Sequence, residues 1–291
     1  MKRSRQLMWL AIVASIGFVI LDVLRKVLGC RLPSWKVVLG INTGSGFLLL
    51  GVVGYEGLPE FDLLFVVLAS LEAVGFAVTS FLYVQAVSLS PLSLTIPYLS
   101  FTPLVSALTA LLLLGEVPSF RGWAGISLLF LGGILLHQEK GGGLLRWFTA
   151  PLREPGSARM LIVAAVWGIT TSIDKIAIRH GSEALLAAWM SILSAVLILM
   201  FRPRFGDGGN VRTSRFRTGP WLLAAAGVAG VAVLAQFYAY RTTLVAYVEA
   251  VKRAGGFLSA LLGVVAFREG HCRRRITAAA LMLVGVLLIL L

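Results

Sequence analysis

Four acidic residues, Asp22, Glu72, Asp174 and Glu249, and three basic ones, Lys175, Lys252 and Arg253, stand inside stretches otherwise built of Leu, Val, Ala, Phe and Gly. A charge at the centre of a membrane helix costs about 2.5–3.5 kcal/mol, so such residues normally face a bundle interior or a cavity. Glu249, Lys252 and Arg253 fall at i, i+3 and i+4, one face of a helix, where they can neutralise one another. A purely structural ion pair is the competing reading of that triplet. Glu72 lies amid LASLEAVGFAV with no basic residue within a helical turn, which makes it a candidate for carrying a proton; a hydrogen bond to a neighbouring helix is the alternative. Asp22 and Glu249 are the other proton-carrying candidates, although Asp22, beside Arg25 and Lys26, is equally placed to snorkel to an interface. Tyr83, Gln85, Tyr98, Ser100, Gln236 and Tyr238 supply hydrogen-bonding groups and aromatic walls. Together with Asp174, Lys175, Lys252 and Arg253 they give the mix of groups that lines a small-molecule pocket. Tyrosines near helix ends also serve as ordinary interfacial anchors.

The elements that must position these residues follow from composition. The 291 residues are 58% hydrophobic and 13% charged, with a mean hydropathy of +0.90. A soluble domain carries about a quarter charged residues. Apolar runs of the roughly 20 residues needed to cross a bilayer recur along the chain. They predict spans at 7–24, 35–54, 61–87, 92–114, 121–137, 159–179, 184–201, 219–240, 244–267 and 274–291. Inside lipid each run must be helical, because an open strand edge would leave backbone groups unpaired. Met1 to Gly17 has the basic start and apolar run of a secretory signal, but Asp22, Arg25 and Lys26 follow in place of a cleavage site, so it is read as the first span.

Several function classes are disfavoured. The net charge of +13 resides in short loops, where Lys and Arg of membrane proteins collect, and does not point to nucleic acid. Cys30 and Cys272 stand alone, no metal spacing is present, and no cofactor or metal is expected. No phosphate-binding P-loop appears. Gly44-Ser45-Gly46 resembles the surroundings of a buried serine nucleophile, but His137, His180 and His271 lie at helix ends or loops, so an enzyme is not expected.

The chain also repeats itself. Pro103 to Leu136 lies on Gly256 to Ile289 without a gap, with eight identical positions that include Ser106/Ser259, Glu116/Glu269, Arg121/Arg274 and Gly132/Gly285. At nearly the same offset Asp22 meets Asp174, and Tyr83 resembles Tyr238. The expected fold is therefore an all-α integral membrane protein of ten transmembrane helices, formed by two five-helix repeats at 1–137 and 159–291 joined by a loop at 138–158. An odd number of spans per repeat makes the second copy enter from the opposite side, the inverted arrangement that many secondary transporters place around a central cavity. Pro97 and Pro103 should kink the fourth span, and Gly255 and Gly256 soften the ninth; these four are the hinge candidates. Gly40, Gly44, Gly227 and Gly230 are expected to let helices pack closely. Glu116 and Glu269 fall at the turn between the fourth and fifth spans of each half and are read as fixing that hairpin, each able to pair with Arg121 or Arg274.

The segment PYLSFTPLVSALTALLLLGEVPSFRGWAGISLLFLGGILL and its second copy VKRAGGFLSALLGVVAFREGHCRRRITAAALMLVGVLLI resemble the EamA-type branch of the drug/metabolite transporter superfamily. The second copy departs where Arg268 replaces the Gly expected before Glu269. The resemblance implies a central cavity and alternating access for amino acids, other metabolites or drugs, commonly moved outward. The expected function is a secondary transporter of a small amino-acid-like or anionic metabolite, with proton-coupled export open. A cationic drug exporter, a lipid-headgroup flippase and a non-transporting membrane protein are the alternatives. Expected partners are the small-molecule substrate and the lipid bilayer; a monomer and a homodimer both fit. The expected location is the plasma (inner) membrane. Six Lys and Arg fall on the side that holds both termini and 17 on the other, which places the termini outside by the positive-inside rule. The family resemblance implies both termini inside.

Overall fold

The computed structural model describes residues 2–136, 154–201, 218–253, 255, 277, 281–282 and 284–289. Gly256, Glu269 and Arg274 lie outside the described residues. The helices are α1 (Lys2–Gly29), α2 (Ser34–Glu56), α3 (Leu63–Leu89), α4 (Leu92–Thr95), α5 (Thr102–Leu114), α6 (Phe120–Leu136), α7 (Pro155–Arg179), α8 (Glu183–Phe201) and α9 (Thr218–Thr242). Residues 245–253 and 284–289 are also helical, and no strand occurs among the described residues. Five of these helices, α2, α3, α7, α8 and α9, are long and apolar enough to cross a membrane.

Local chemistry sets the ends. The Asp62 carboxylate accepts from the Phe65 N–H at 2.9 Å and starts α3, which stops at Ser90 before Pro91, a residue with no N–H to continue the ladder. Gly115 takes the left-handed conformation (φ 67°) that an L side chain resists, and the Glu116 N–H turns back onto the Ala110 carbonyl to close α5. Glu154 caps α7 through the N–H groups of Gly156 and Ser157, with Pro155 in the first turn. The fourth expected span is broken: α4 passes into a 3₁₀ turn, Ile96–Phe101, with Pro97 near its start, and α5 begins with Pro103 in its first turn. Two prolines seven residues or fewer apart remove two donors, and the tighter 3₁₀ ladder takes up the discontinuity.

The most extensive helix contacts are α1 with α9, α2 with α8 and α3 with α7. Close approach is steric at Gly44, where a Cβ would sit 2.6 Å from that of Ala226, and at Gly46, where it would meet Ile192. Gly40 faces Leu222 tightly, Gly230 has only ordinary contacts and Gly227 faces open space, so the expected packing role of Gly227 is not found. Polarity is distributed as lipid requires. Leu112, Phe47 and Leu223 are among the most exposed apolar side chains, whereas Asp22, Arg25, Glu72, Asp174, Glu249, Lys252 and Arg253 are all buried.

Gly44→Leu should overpack the α2–α9 contact and lower stability by about 1–3 kcal/mol, whereas Gly227→Ala should not; thermal unfolding in detergent checks both. Asp62 also ties the α2–α3 loop to the α7–α8 turn through His180 Nδ1 at 2.7 Å, and the Phe65 N–H and His180 hold its carboxyl below the ordinary 3.8. A depressed native value means that the contribution is complete above the unfolded value and fades as pH falls through the native one. Asp62→Ala should therefore melt below the parent at neutral pH, with the gap closing on acidification beneath the carboxylate range.

Candidate functional site

Helical spacing brings the polar residues together. On α1, Phe18, Asp22 and Arg25 stand at i, i+4 and i+7; on α7, Trp167, Thr170, Thr171 and Asp174 repeat that face, and α3 adds Glu72, Phe76 and Tyr83. With Asn42 and Ser45 of α2, Ser191 of α8, Gln236 and Phe237 of α9, and Lys252 and Arg253, they line one cavity of about 980 Å³, counting the space at its mouth. Every long described helix except α6 contributes a wall residue, and the 3₁₀ turn adds Leu99.

One wall is an ion network. Glu249, fully buried, accepts from Lys252 Nζ (2.6 Å), Arg253 Nη2 (2.8 Å) and the Tyr240 hydroxyl (2.7 Å). Lys252 Nζ also donates to Gln236 Oε1 at 2.6 Å, and Gln236 Nε2 donates to the Tyr240 hydroxyl at 2.7 Å. Charge-assisted bonds of this kind hold ions that neither lipid nor the apolar core would solvate.

The second wall is aromatic. Tyr83 and Trp167 stack with centroids 5.5 Å apart and planes 23° from parallel. Arg25 lies over Tyr83 at 4.7 Å, Arg253 over Trp167 at 5.6 Å, and Lys252 over Phe18 at 4.7 Å, so each cation of the cavity rests on a ring. The stack is pinned by the Tyr83 hydroxyl donating to Asp22 Oδ1 (2.5 Å) and by Trp167 Nε1 donating to Thr79 (3.0 Å). Glu72 and Asp174 line the same cavity within hydrogen-bond reach of each other, and Glu72 also reaches Thr170. Glu72 Oε1, Asp174 Oδ1, Arg25 Nη1 and Arg253 Nε are buried with no hydrogen-bond partner.

Of the residues expected in a pocket, Tyr83, Asp174, Gln236, Lys252 and Arg253 line this cavity, as do Glu72 and Asp22, and Glu249 lies directly behind it. Five others are placed elsewhere. Gln85 accepts from Arg159 Nε at 3.1 Å near the end of α3. Tyr98 packs in a separate apolar cluster with Met160 and Val163, and Ser100 is buried off the cavity wall. Lys175 pairs with Glu116 at 2.6 Å and donates to the Thr243 carbonyl, while the Tyr238 hydroxyl donates to Glu56 at 2.5 Å. Of the hinge candidates, Pro97 and Pro103 flank the 3₁₀ turn and Gly255 packs on Ser15 of α1. Glu116, whose other oxygen accepts from the Val245 N–H, ties the α5–α6 turn to α7 and to residues 243–245, a wider junction than a single hairpin. Arg25, Phe18 and Trp167 are cavity residues that spacing with Asp22 and Asp174 could have found. Among the described residues no group of three or more His, Cys, Asp or Glu is placed to hold a metal ion.

A multi-pass bundle that turns apolar side chains outward and shields a charged, aromatic-walled cavity has the makings of a membrane carrier for small solutes. The chain belongs to the EamA-like transporter family, whose model matches residues 6–137 and again 155–291. It is thus a multi-pass membrane transporter of the drug/metabolite type. Among solved structures, one described only as a crystal structure of protein superposes with a TM-score of 0.71 at 18% identity, covering 96% of this chain and 98% of its own. That likeness shows the fold. None of the curated proteins matches.

Glu249→Ala would leave Lys252 and Arg253 buried without a counter-ion. It should cost about 3–5 kcal/mol of stability, measured by denaturation in detergent, against a much smaller loss for Glu56→Ala on the exposed end of α2.

Proposed function

We propose that the protein carries a small zwitterionic or anionic metabolite, amino-acid-like in its charges, across the plasma membrane by alternating access and in the outward direction, with proton coupling for a solute of net charge. The observation that carries the substrate reading is the pairing of unsatisfied groups in one cavity: Arg25 Nη1 and Arg253 Nε as donors, Glu72 Oε1 and Asp174 Oδ1 as acceptors. A carboxylate on the first pair and an ammonium on the second would satisfy all four, and buried groups left unsatisfied are costly. The rings of Phe18, Phe76, Trp167 and Phe237 would take the apolar part.

Alternating access rests on the two halves, 1–137 and 159–291, being inverted copies of five spans each. Two features support inversion. The largest contacts join the first span to the eighth, the second to the seventh and the third to the sixth, a pattern unchanged when the halves are exchanged. Lys26 in the last turn of α1 donates to the Ser90 carbonyl at 2.8 Å, and the Ser90 hydroxyl bonds Glu154, the cap that begins α7. The first span thus ends where its counterpart begins, so the two run in opposite senses. The excess of Lys and Arg on the side away from the termini supports a cytoplasmic location for that side.

The test is flux in proteoliposomes of three near-isosteric solutes: leucine, 4-methyl-2-oxopentanoate and isopentylamine. Leucine or the oxo acid should move, and Arg25→Gln should lower that flux by about 10–100-fold, the loss of one charge-assisted bond. Transport of the amine alone, unaffected by Arg25→Gln, would replace this reading with cation export.

A further inference from the structure

Among the described residues, the cavity wall and the groups bonded to it hold four carboxyls, Asp22, Glu72, Asp174 and Glu249, and three cations, Arg25, Lys252 and Arg253. Two of the carboxyls are matched directly: Glu249 by Lys252 and Arg253, and Asp22 by the Tyr83 hydroxyl beneath Arg25. Glu72 of α3 and Asp174 of α7 meet each other instead, both buried, each with one oxygen lacking any donor. Carboxyl oxygens within hydrogen-bond reach can bond only when a proton lies between them, and like charges that close cannot both persist away from water.

Among the described residues no Lys or Arg side chain is hydrogen-bonded or ion-paired to either carboxyl. From α1 the pair is faced by Asp22 and Arg25, from its own helix α3 by Tyr83, and from α9 by Tyr240 and Gln236; from 245–253 come Glu249, Lys252 and Arg253. The Lys252 ammonium, which lines the same cavity, is bonded to Glu249 and Gln236. From α2 and α8 the cavity presents Asn42, Ser45, Met190 and Ser191, none of which titrates.

We infer that Glu72 and Asp174 share a single exchangeable proton, which balances the charges that the described residues bring to the solute-free cavity, so that the net charge of an incoming solute is met by proton movement at this pair. This rests on the cavity being the transport site. One proton on four carboxyls leaves three negative charges against three positive ones. A zwitterion then enters without proton exchange. A net anion enters with a second proton taken from the water on the side to which the cavity is open, so that both carboxyls are protonated. A net cation displaces the shared proton into that water, leaving both ionised around it. In the two charged cases the proton travels with the anion or against the cation and is released or recovered on the other side. The pair is therefore a stoichiometric element whose direction is set by the solute.

Infrared spectroscopy of the purified full chain in detergent reads the shared proton directly. A protonated-carboxyl band should be present at neutral pH and be lost entirely in Glu72→Gln and also in Asp174→Asn, because removing either partner frees the other to ionise. Persistence of the band in one variant, or its absence from the parent, overturns the shared proton. Should either variant fail to fold, labelling the side-chain carboxyls of the parent with ¹³C, first in Asp and then in Glu, replaces it: both labels should shift the band, and a shift with only one overturns the inference. In proteoliposomes, flux of 4-methyl-2-oxopentanoate and of isopentylamine should respond to an imposed pH gradient with opposite signs and ignore an imposed membrane potential. Flux driven by potential overturns electroneutral exchange. Flux of neither overturns the coupling, and the transport reading falls with it where leucine is not moved either, while the band reports on the proton alone, so the failures are distinguishable.

Discussion

Everything in this molecule depends on the rule that an ion withdrawn from water must find its counter-charge within the protein. Glu249 meets that rule for two cations at once, and the two are further supported by the faces of Phe18 and Trp167. Because the donors stand three and four residues after the acceptor, the neutralised unit lies within one turn of a single helix. Glu72 and Asp174 stand outside that local bargain, and their charge state is free to vary.

The same rule explains the ends of the bundle. Lys175 and Glu116 are nearly buried and meet at 2.6 Å, joining α7 to the α5–α6 turn and, through the Thr243 carbonyl and Val245 N–H, to the start of the 245–253 helix. At the opposite end Lys26, Ser90 and Glu154 join α1, the α3–α4 turn and α7. Burial tends to raise the Glu154 carboxyl, but hydrogen bonds from Ser157, Ser90 and the Gly156 N–H hold it below the usual range, so it remains a charged cap. Each end of α7 is thereby tied to the first half of the chain, and its C-terminal end also to residues 243–245.

Much of the fold was legible because bilayer thickness and backbone satisfaction leave little choice: the predicted spans 35–54, 121–137 and 184–201 agree with α2, α6 and α8 to within two residues. The site was less legible because neighbours in sequence point about 100° apart on a helix. Asp174 faces the cavity and Lys175 does not; Tyr240 joins the Glu249 network while Tyr238, two residues earlier, reaches out to Glu56. Arg25 and Lys26 are neighbours in sequence, yet Lys26 reaches the Ser90 carbonyl while Arg25 is buried over Tyr83. Composition identifies which residues are expensive to bury; the helical phase of each, relative to neighbours on other helices, is set only by packing. Glu72 lacks a basic neighbour in its own helix, as the sequence indicates, but the partner it does have, Asp174, lies 102 positions away and carries the same charge.

The 3₁₀ turn between α4 and α5 gives the fourth span an adjustable length. A 3₁₀ ladder rises about 2.0 Å per residue against about 1.5 Å for an α-helix, so the six residues Ile96–Phe101 are roughly 3 Å longer than the same stretch wound as α. Rewinding them would draw α5 toward α4 like a telescoping tube, turning Leu99 out of the cavity wall and pulling on the edge-on contact between Phe101 and Phe130 of α6. The length of this span is therefore set by the winding of its hydrogen-bond ladder as well as by its number of residues.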